Sequence, residues 1–281
     1  MNDTLSTLNW LVEAGADEAV AGEPVNRLAA KVSVAPPQAP RPVAASAPAR
    51  APVPLAGASA RAGAPNEIME GDAIGGAMAA AAAATSLAEL QAALESFDGC
   101  ALKRTATNTV FADGVAAGRV MLIGEAPGRD EDRSGKPFVG RAGQLLDKML
   151  ASIGLDRKTN AYITNVINWR PPDNRDPTPE EAAACLPFLR RHIELADPQL
   201  IILLGAVAAR HVVGVTDGIM KLRGRWMDYR VGDRMVPLMP TLHPAYLLRQ
   251  PSHKKLAWRD LQAVRDKMLS LGLPEQATQS N

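Results

Sequence analysis

Apolar residues in this chain gather into short unbroken runs separated by polar turns. Val120-Met121-Leu122-Ile123, Ala161-Tyr162-Ile163 and Leu200-Ile201-Ile202-Leu203-Leu204 have no polar alternation, which is the signature of strands buried on both faces. Between the runs the rhythm becomes helical. Ala142, Leu145, Leu146, Met149, Leu150 and Ile153 recur at intervals of three and four. A second helix is predicted to begin near Thr178, with Pro179 in its first turn and Glu180 and Glu181 at the positive end of its dipole, and to run to about Ala196. A third spans Ala206 to Val213, after Gly205 closes the strongest strand. Two further runs, Arg225 to Val231 and Met235 to Leu242, flank Gly232-Asp233 and read as a hairpin near a sheet edge. A last amphipathic helix, about Ser252 to Leu269, sets Leu256, Leu261, Val264 and Met268 on one face. The βαβαβα order predicts an α/β fold: a three-layer α/β/α sandwich with a mostly parallel central sheet.

The N-terminal third has a different character. Residues 5–20 place Leu5, Leu8, Leu11 and Val12 at helical spacing beside Trp10, which predicts an amphipathic helix within residues 1–22 and a possible protein partner for it. Residues 23–95 are read as an Ala/Pro-rich disordered linker. Their uniform small side chains, the Ala run from Gly76 to Ala84 included, offer no obvious stripe to pack. The domain that carries the chemistry is therefore placed at 96–281.

Charge divides at the same point. Residues 1–95 hold 5 Lys+Arg and 10 Asp+Glu, and residues 96–281 hold 26 and 20, so a net charge of +1 conceals a basic domain of +6 beside an arm of −5. The basic excess favours a polyanionic partner. No apolar run of 18 residues suggests a membrane span, and the N-terminus lacks a basic stretch followed by an apolar core, so a cytoplasmic protein is expected; it is read as a monomer. Two cysteines, Cys100 and Cys185, fit reduced thiols.

Candidate chemistry collects at strand ends. The segment from Ile123 to Leu146 joins a buried strand to a helix through a Gly/Pro-rich turn with clustered carboxylates and a lone Phe. In open α/β sheets, ligands bind at the carboxyl ends of strands. Gly124-Glu125, Asn165 and His243 would converge on one rim.

GEAPG at 124–128, Glu131-Asp132, PFVG at 137–140, TNV at 164–166, RPP and NRDP within 170–177, and HPAYLLR at 243–249 resemble the family 4 uracil-DNA glycosylases. The resemblance covers nearly all of residues 97–265. It implies a uracil-DNA glycosylase-like fold and a monofunctional glycosylase that hydrolyses the N-glycosidic bond of uracil in DNA, leaving an abasic site for base excision repair. The substrate would be single- or double-stranded uracil-containing DNA. The alternative is a non-catalytic or weakly catalytic protein that binds uracil or abasic DNA.

The resemblance also implies roles. Glu125 would hold the attacking water and stabilise positive sugar character. His243 would donate to uracil O2, and Asn165 would read O4 and N3–H. Phe138 would stack on the flipped base, with Gly124 and Ala126 lining its pocket. Glu131 would wall off the C5 side, discouraging thymine. Asp130 and Asp132 are read as solvated neighbours of a helix start. Leu247, with Leu248 as competitor, would wedge into the vacated stack. Arg249, Lys254 and Lys255 would contact phosphates, as would Lys221, Arg223 and Arg225. The better-known branch of the superfamily carries an Asp at the place of Ala126, and its replacement here suits a largely dissociative mechanism.

Family 4 enzymes typically hold a [4Fe–4S] cluster on four cysteines. The matching positions here are Phe97, Cys100, Trp169 and Cys185. Neither Phe nor Trp coordinates iron, so no metal and no cluster are expected. A related branch is trapped covalently on DNA through a His in a basic inserted loop, and the run from Arg170 through RPPDNRDPTP has no such insertion.

Overall fold

A computed structural model describes residues 69–273, with side chains from residue 73 onward. The predicted N-terminal helix, the linker up to residue 68 and residues 274–281 lie outside the described residues.

Six strands form one sheet in the order β1-β3-β2-β4-β6-β5. The central four, β2 (Val120–Gly124), β3 (Ala161–Asn165), β4 (Leu200–Leu204) and β6 (Arg234–Thr241), run parallel. β1 (Ala112–Gly114) pairs antiparallel with β3 at one edge, and β5 (Met227–Val231) pairs antiparallel with β6 at the other. The hairpin at the sheet edge is thus present, and the three continuous apolar runs are the buried central strands. β1 is too short and too polar to announce itself.

Residues alternate along each central strand between two cores, because successive side chains point to opposite faces. Met121, Ile123, Ile201, Leu203 and Leu238 join one; Val120, Leu122, Ile202, Leu204 and Met239 join the other. The second is covered by α4 (Arg141–Ala151) through Leu146, Met149 and Leu150, and by α9 (Lys254–Ser270) through Ala257, Leu261, Val264 and Met268. The first is covered by α5 (Pro179–Ala196) through Ala182, Cys185, Phe188 and Leu189, with α6 (Ala206–Val213) beside it. A capping box starts α5: the Glu181 backbone N–H donates to Thr178 Oγ1 at 3.3 Å, and the Thr178 N–H donates to Glu181 Oε2 at 2.8 Å.

The linker reading does not hold for residues 69–95. Two helices lie there, α1 (Met69–Ala83) and α2 (Leu87–Ser96). Alanine supplies a packing stripe after all: Ala77, Ala81 and Ala84 are buried in the first core, where their small size lets α1 lie close against α5. Arg191 of α5 donates two hydrogen bonds, at 3.0 and 2.9 Å, to the Ala84 carbonyl, and Leu90 and Leu94 of α2 are fully buried. The described part of the folded unit therefore begins at residue 69.

Candidate active site

The carboxyl ends of β2, β3, β4 and β6 open onto a cavity of about 550 Å³. Its wall includes Glu125, Ala126, Glu131, Phe138, Asn165 and His243, with Gly205 between the strands that carry Asn165 and His243 in the sheet order. The sequence-predicted residues are thereby brought together. Parallel register sets Gly124 directly beside Asn165.

Asn165 is buried, and its Oδ1 has no hydrogen-bond partner. An unpaired buried acceptor costs about 1–3 kcal/mol, so in a native protein it demands a reason. Gly124 makes room for it: a Cβ at this position would stand 2.4 Å from Asn165 Oδ1 and 2.5 Å from the Phe138 ring. The amide, the glycine and the ring therefore meet at one point of the wall.

Beyond α7 (Ile219–Leu222), His243 precedes α8 (Pro244–Arg249) and caps it. Its Nδ1 accepts from the Ala245 backbone N–H at 3.1 Å. The neutral ring must then carry its proton on Nε2, where it is available as a donor. Burial, helped by the positive charge of Arg249, pushes the His243 pKa down to about 4. The imidazole is neutral at physiological pH.

Phe138 is buried, with its ring centroid 5.5 Å from that of His243. Its backbone is left-handed, φ 53°, which costs a bulky residue on the order of 1–3 kcal/mol and persists only where the surroundings enforce it. Glu131 supplies one constraint. It lies in α3 (Arg129–Ser134), and its Oε1 accepts from the backbone N–H groups of Val139 and Gly140, each at 2.9 Å. This carboxylate lines the cavity and at the same time fixes the turn after Phe138.

Glu125 has its carboxyl pKa raised by partial burial and by the negative charge of Asp176, with Arg210 opposing. Asp176 and Arg175 reach the wall from the RPPDNRDPTP turn. That turn is pinned by a bidentate pair from Arg175 to Glu181, at 2.8 and 2.6 Å. The motif was visible in the sequence but its part in the cavity was not. Arg210, placed by α6, gave no signal.

Three other expectations are corrected. Asp132 is buried, and its Oδ1 accepts from the Thr107 and Asn108 N–H groups at 2.8 and 3.2 Å, so it anchors a loop. Leu247 is only 1% exposed, packed in the second core, whereas Leu248 is 36% exposed; the helix phase presents the competitor. Arg223 forms an ion pair with the buried Asp260 and donates to the Leu256 carbonyl at 2.6 Å, tying α9 to the segment that precedes β5. Asp260 also accepts from Thr241 Oγ1 at 2.7 Å. Arg225, Arg249, Lys221, Lys254 and Lys255 are exposed.

Cys100 and Cys185 are buried in the first core as free thiols. The neighbouring Cys100 thiol and burial together push the Cys185 thiol up. Trp169 fills the same core, its Nε1–H donating to Thr109 Oγ1 at 3.0 Å, and Phe97 packs on Phe188 with centroids 5.1 Å apart. Two thiols, a phenyl ring and an indole whose nitrogen is a donor only do not fit a cubane cluster, which needs four ligands.

Residues 111–262 match the Uracil DNA glycosylase superfamily. The chain is 42% identical over 169 residues to the type-4 uracil-DNA glycosylase of Thermotoga maritima, covering 59% of this chain and 86% of that protein. It is 44% identical over 156 residues to the corresponding enzyme of Archaeoglobus fulgidus, covering 54% and 78%. Likeness to the type-5 enzyme of Pyrobaculum aerophilum is 35% over 111 residues, covering 34% and 49%.

Proposed function

The chain belongs to the Uracil DNA glycosylase superfamily, and from that premise we propose that it hydrolyses the N-glycosidic bond of uracil in DNA, leaving an abasic site for repair. The observation that carries this reading is the buried, unpartnered Oδ1 of Asn165. Uracil N3–H is the donor it lacks, and the same amide's N–H then faces O4. Cytosine presents the opposite pattern on that edge, leaving buried groups unpaired.

Each remaining group meets a charge that develops as the bond breaks. Departure of uracil leaves negative charge on its oxygens, and the neutral His243 donates its Nε2–H toward O2 without having to give up a proton. The sugar becomes cationic, and the Glu125 carboxylate offsets that charge and orients water. Phe138 stacks on the extruded base. Ala126 stands where the better-known branch of the superfamily carries an Asp, so bond breaking runs well ahead of water attack. Leu248, Arg249, Arg225, Lys254 and Lys255 form the DNA-facing set, and the enzyme acts in the cytoplasm as a monomer. It works without a cluster, since two of the four iron ligands are Phe97 and Trp169.

The test uses single- and double-stranded oligonucleotides with one uracil, treated with alkali to reveal abasic sites. Excision by the wild type, lost in Asn165→Ala and His243→Ala, supports the proposal. Tight binding without release of uracil would instead identify a binding module. A broad absorption band near 400 nm in anaerobically purified protein, with about four irons per chain, would overturn the cluster-free reading.

A further inference from the structure

Arg157 does not line the cavity, yet it grips the segment that carries Phe138. Its Nη2–H donates to the Phe138 carbonyl at 2.8 Å and its Nη1–H to the Pro137 carbonyl at 3.1 Å. The guanidinium is itself held by two carboxylates. Nε–H donates to Asp147 Oδ1 at 2.8 Å from α4, and Nη1–H to Asp113 Oδ2 at 3.1 Å from β1. The side chain is only 13% exposed, and all three nitrogens of its planar fork are engaged.

The carbonyl that Arg157 holds has little freedom. On its α4 side a Cβ on Gly143 would stand 1.9 Å from the Phe138 oxygen, so helix backbone and carbonyl are already in contact. Past the ring, Glu131 accepts the next two backbone N–H groups. Phe138 is thus fixed on its C=O side by Arg157 and on its following N–H side by Glu131, and its left-handed φ is the conformation that satisfies both.

We propose that Arg157 is a positioning residue for base capture: by holding the Phe138 carbonyl it keeps the Phe138 ring in the orientation that receives the flipped uracil. This rests on the reading of Phe138 as the stacking platform. A cation that never touches the substrate then governs how well the substrate base is held. The two acidic partners, Asp113 and Asp147, act through it.

The experiment is a double-mutant cycle on uracil oligonucleotide excision, with kcat and KM measured separately below the melting temperature of every variant. Arg157→Met should raise KM about tenfold and change kcat less. Arg157→Lys, which keeps the charge against Asp113 and Asp147 but cannot span both carbonyls, should fold as the wild type and show an intermediate KM. In a Phe138→Ala background, Arg157→Met should add less than twofold. A wild-type KM in Arg157→Lys and Arg157→Met, while Phe138→Ala is impaired, would overturn the proposal and leave the platform reading intact. So would an undiminished effect of Arg157→Met in the Phe138→Ala background, since it would show an action independent of the ring. Unimpaired excision by Phe138→Ala would remove the platform reading itself, and the role of Arg157 with it.

Discussion

Adding one methyl group at Gly124 should disable the site while leaving the fold standing. The new Cβ would lie 2.4 Å from Asn165 Oδ1 and 2.5 and 2.6 Å from two Phe138 ring carbons, against ordinary contacts of about 3.5–4.0 Å. Neither neighbour yields easily. Asn165 is locked beside Gly124 by strand register, and Phe138 by Arg157 and Glu131. Overpacking of this kind costs about 1–3 kcal/mol. Part is relieved by turning the Asn165 amide, which forfeits the hydrogen bond to N3–H, worth a further ~1–3 kcal/mol where the partner is buried. At about 1.4 kcal/mol per decade of rate, Gly124→Ala should lower kcat/KM on uracil oligonucleotides about 10- to 100-fold. The assay is single-turnover excision beside a thermal melt, with Gly75→Ala as control, because nothing lies within 4 Å of a Cβ there. A rate within twofold of wild type would refute the argument that the amide and ring must meet across a bare backbone.

Other outcomes follow from the same geometry. Because Glu125 holds its proton to a higher pH than an ordinary carboxyl, excision should fall with acidification through that raised pKa; Glu125→Gln should be slow and lack this limb in a pH–rate profile. His192 is buried against Phe111 and bonded to the Tyr162 hydroxyl at 2.9 Å, and burial pushes its pKa down to about 3. Its folded pKa lies below the unfolded ~6.5, so stability is full above that value and is lost progressively as pH falls toward 3, by roughly a few kcal/mol. Melting temperatures between pH 4 and 7 should slope less steeply in His192→Gln. Leu248→Ala should slow excision from duplex DNA several-fold more than from single strands, because only a duplex leaves a stack to be filled; equal effects on both substrates would remove the wedge assignment.

The parts legible in the sequence were those set by local pattern. Unbroken apolar runs marked β2, β3 and β4, and Thr178-Pro179 with Glu181 marked the start of α5, because burial and capping act over a few residues. The ordered motifs placed Asn165, His243 and Phe138 at one rim. What escaped were choices made by distant packing. The alanines of α1 became a stripe only against α5. Leu247 and Leu248 are adjacent and chemically alike, and only the phase of α8 separates core from surface. Arg223 and Arg157 are ordinary cations by sequence, and their carboxylate partners lie 37 residues away for Arg223 and 10 and 44 residues away for Arg157.

The sorting of strand residues into two cores makes the site a matter of counting. Along β2, odd and even positions belong to different layers, and the strand ends at Gly124 opposite Asn165. Deleting or inserting one residue between Val120 and Gly124 would exchange the two layers and set another residue beside the amide. Composition there is negotiable, since one aliphatic side chain can replace another. Length is not, and variation in this lineage should enter the strand as substitution and never as a gap.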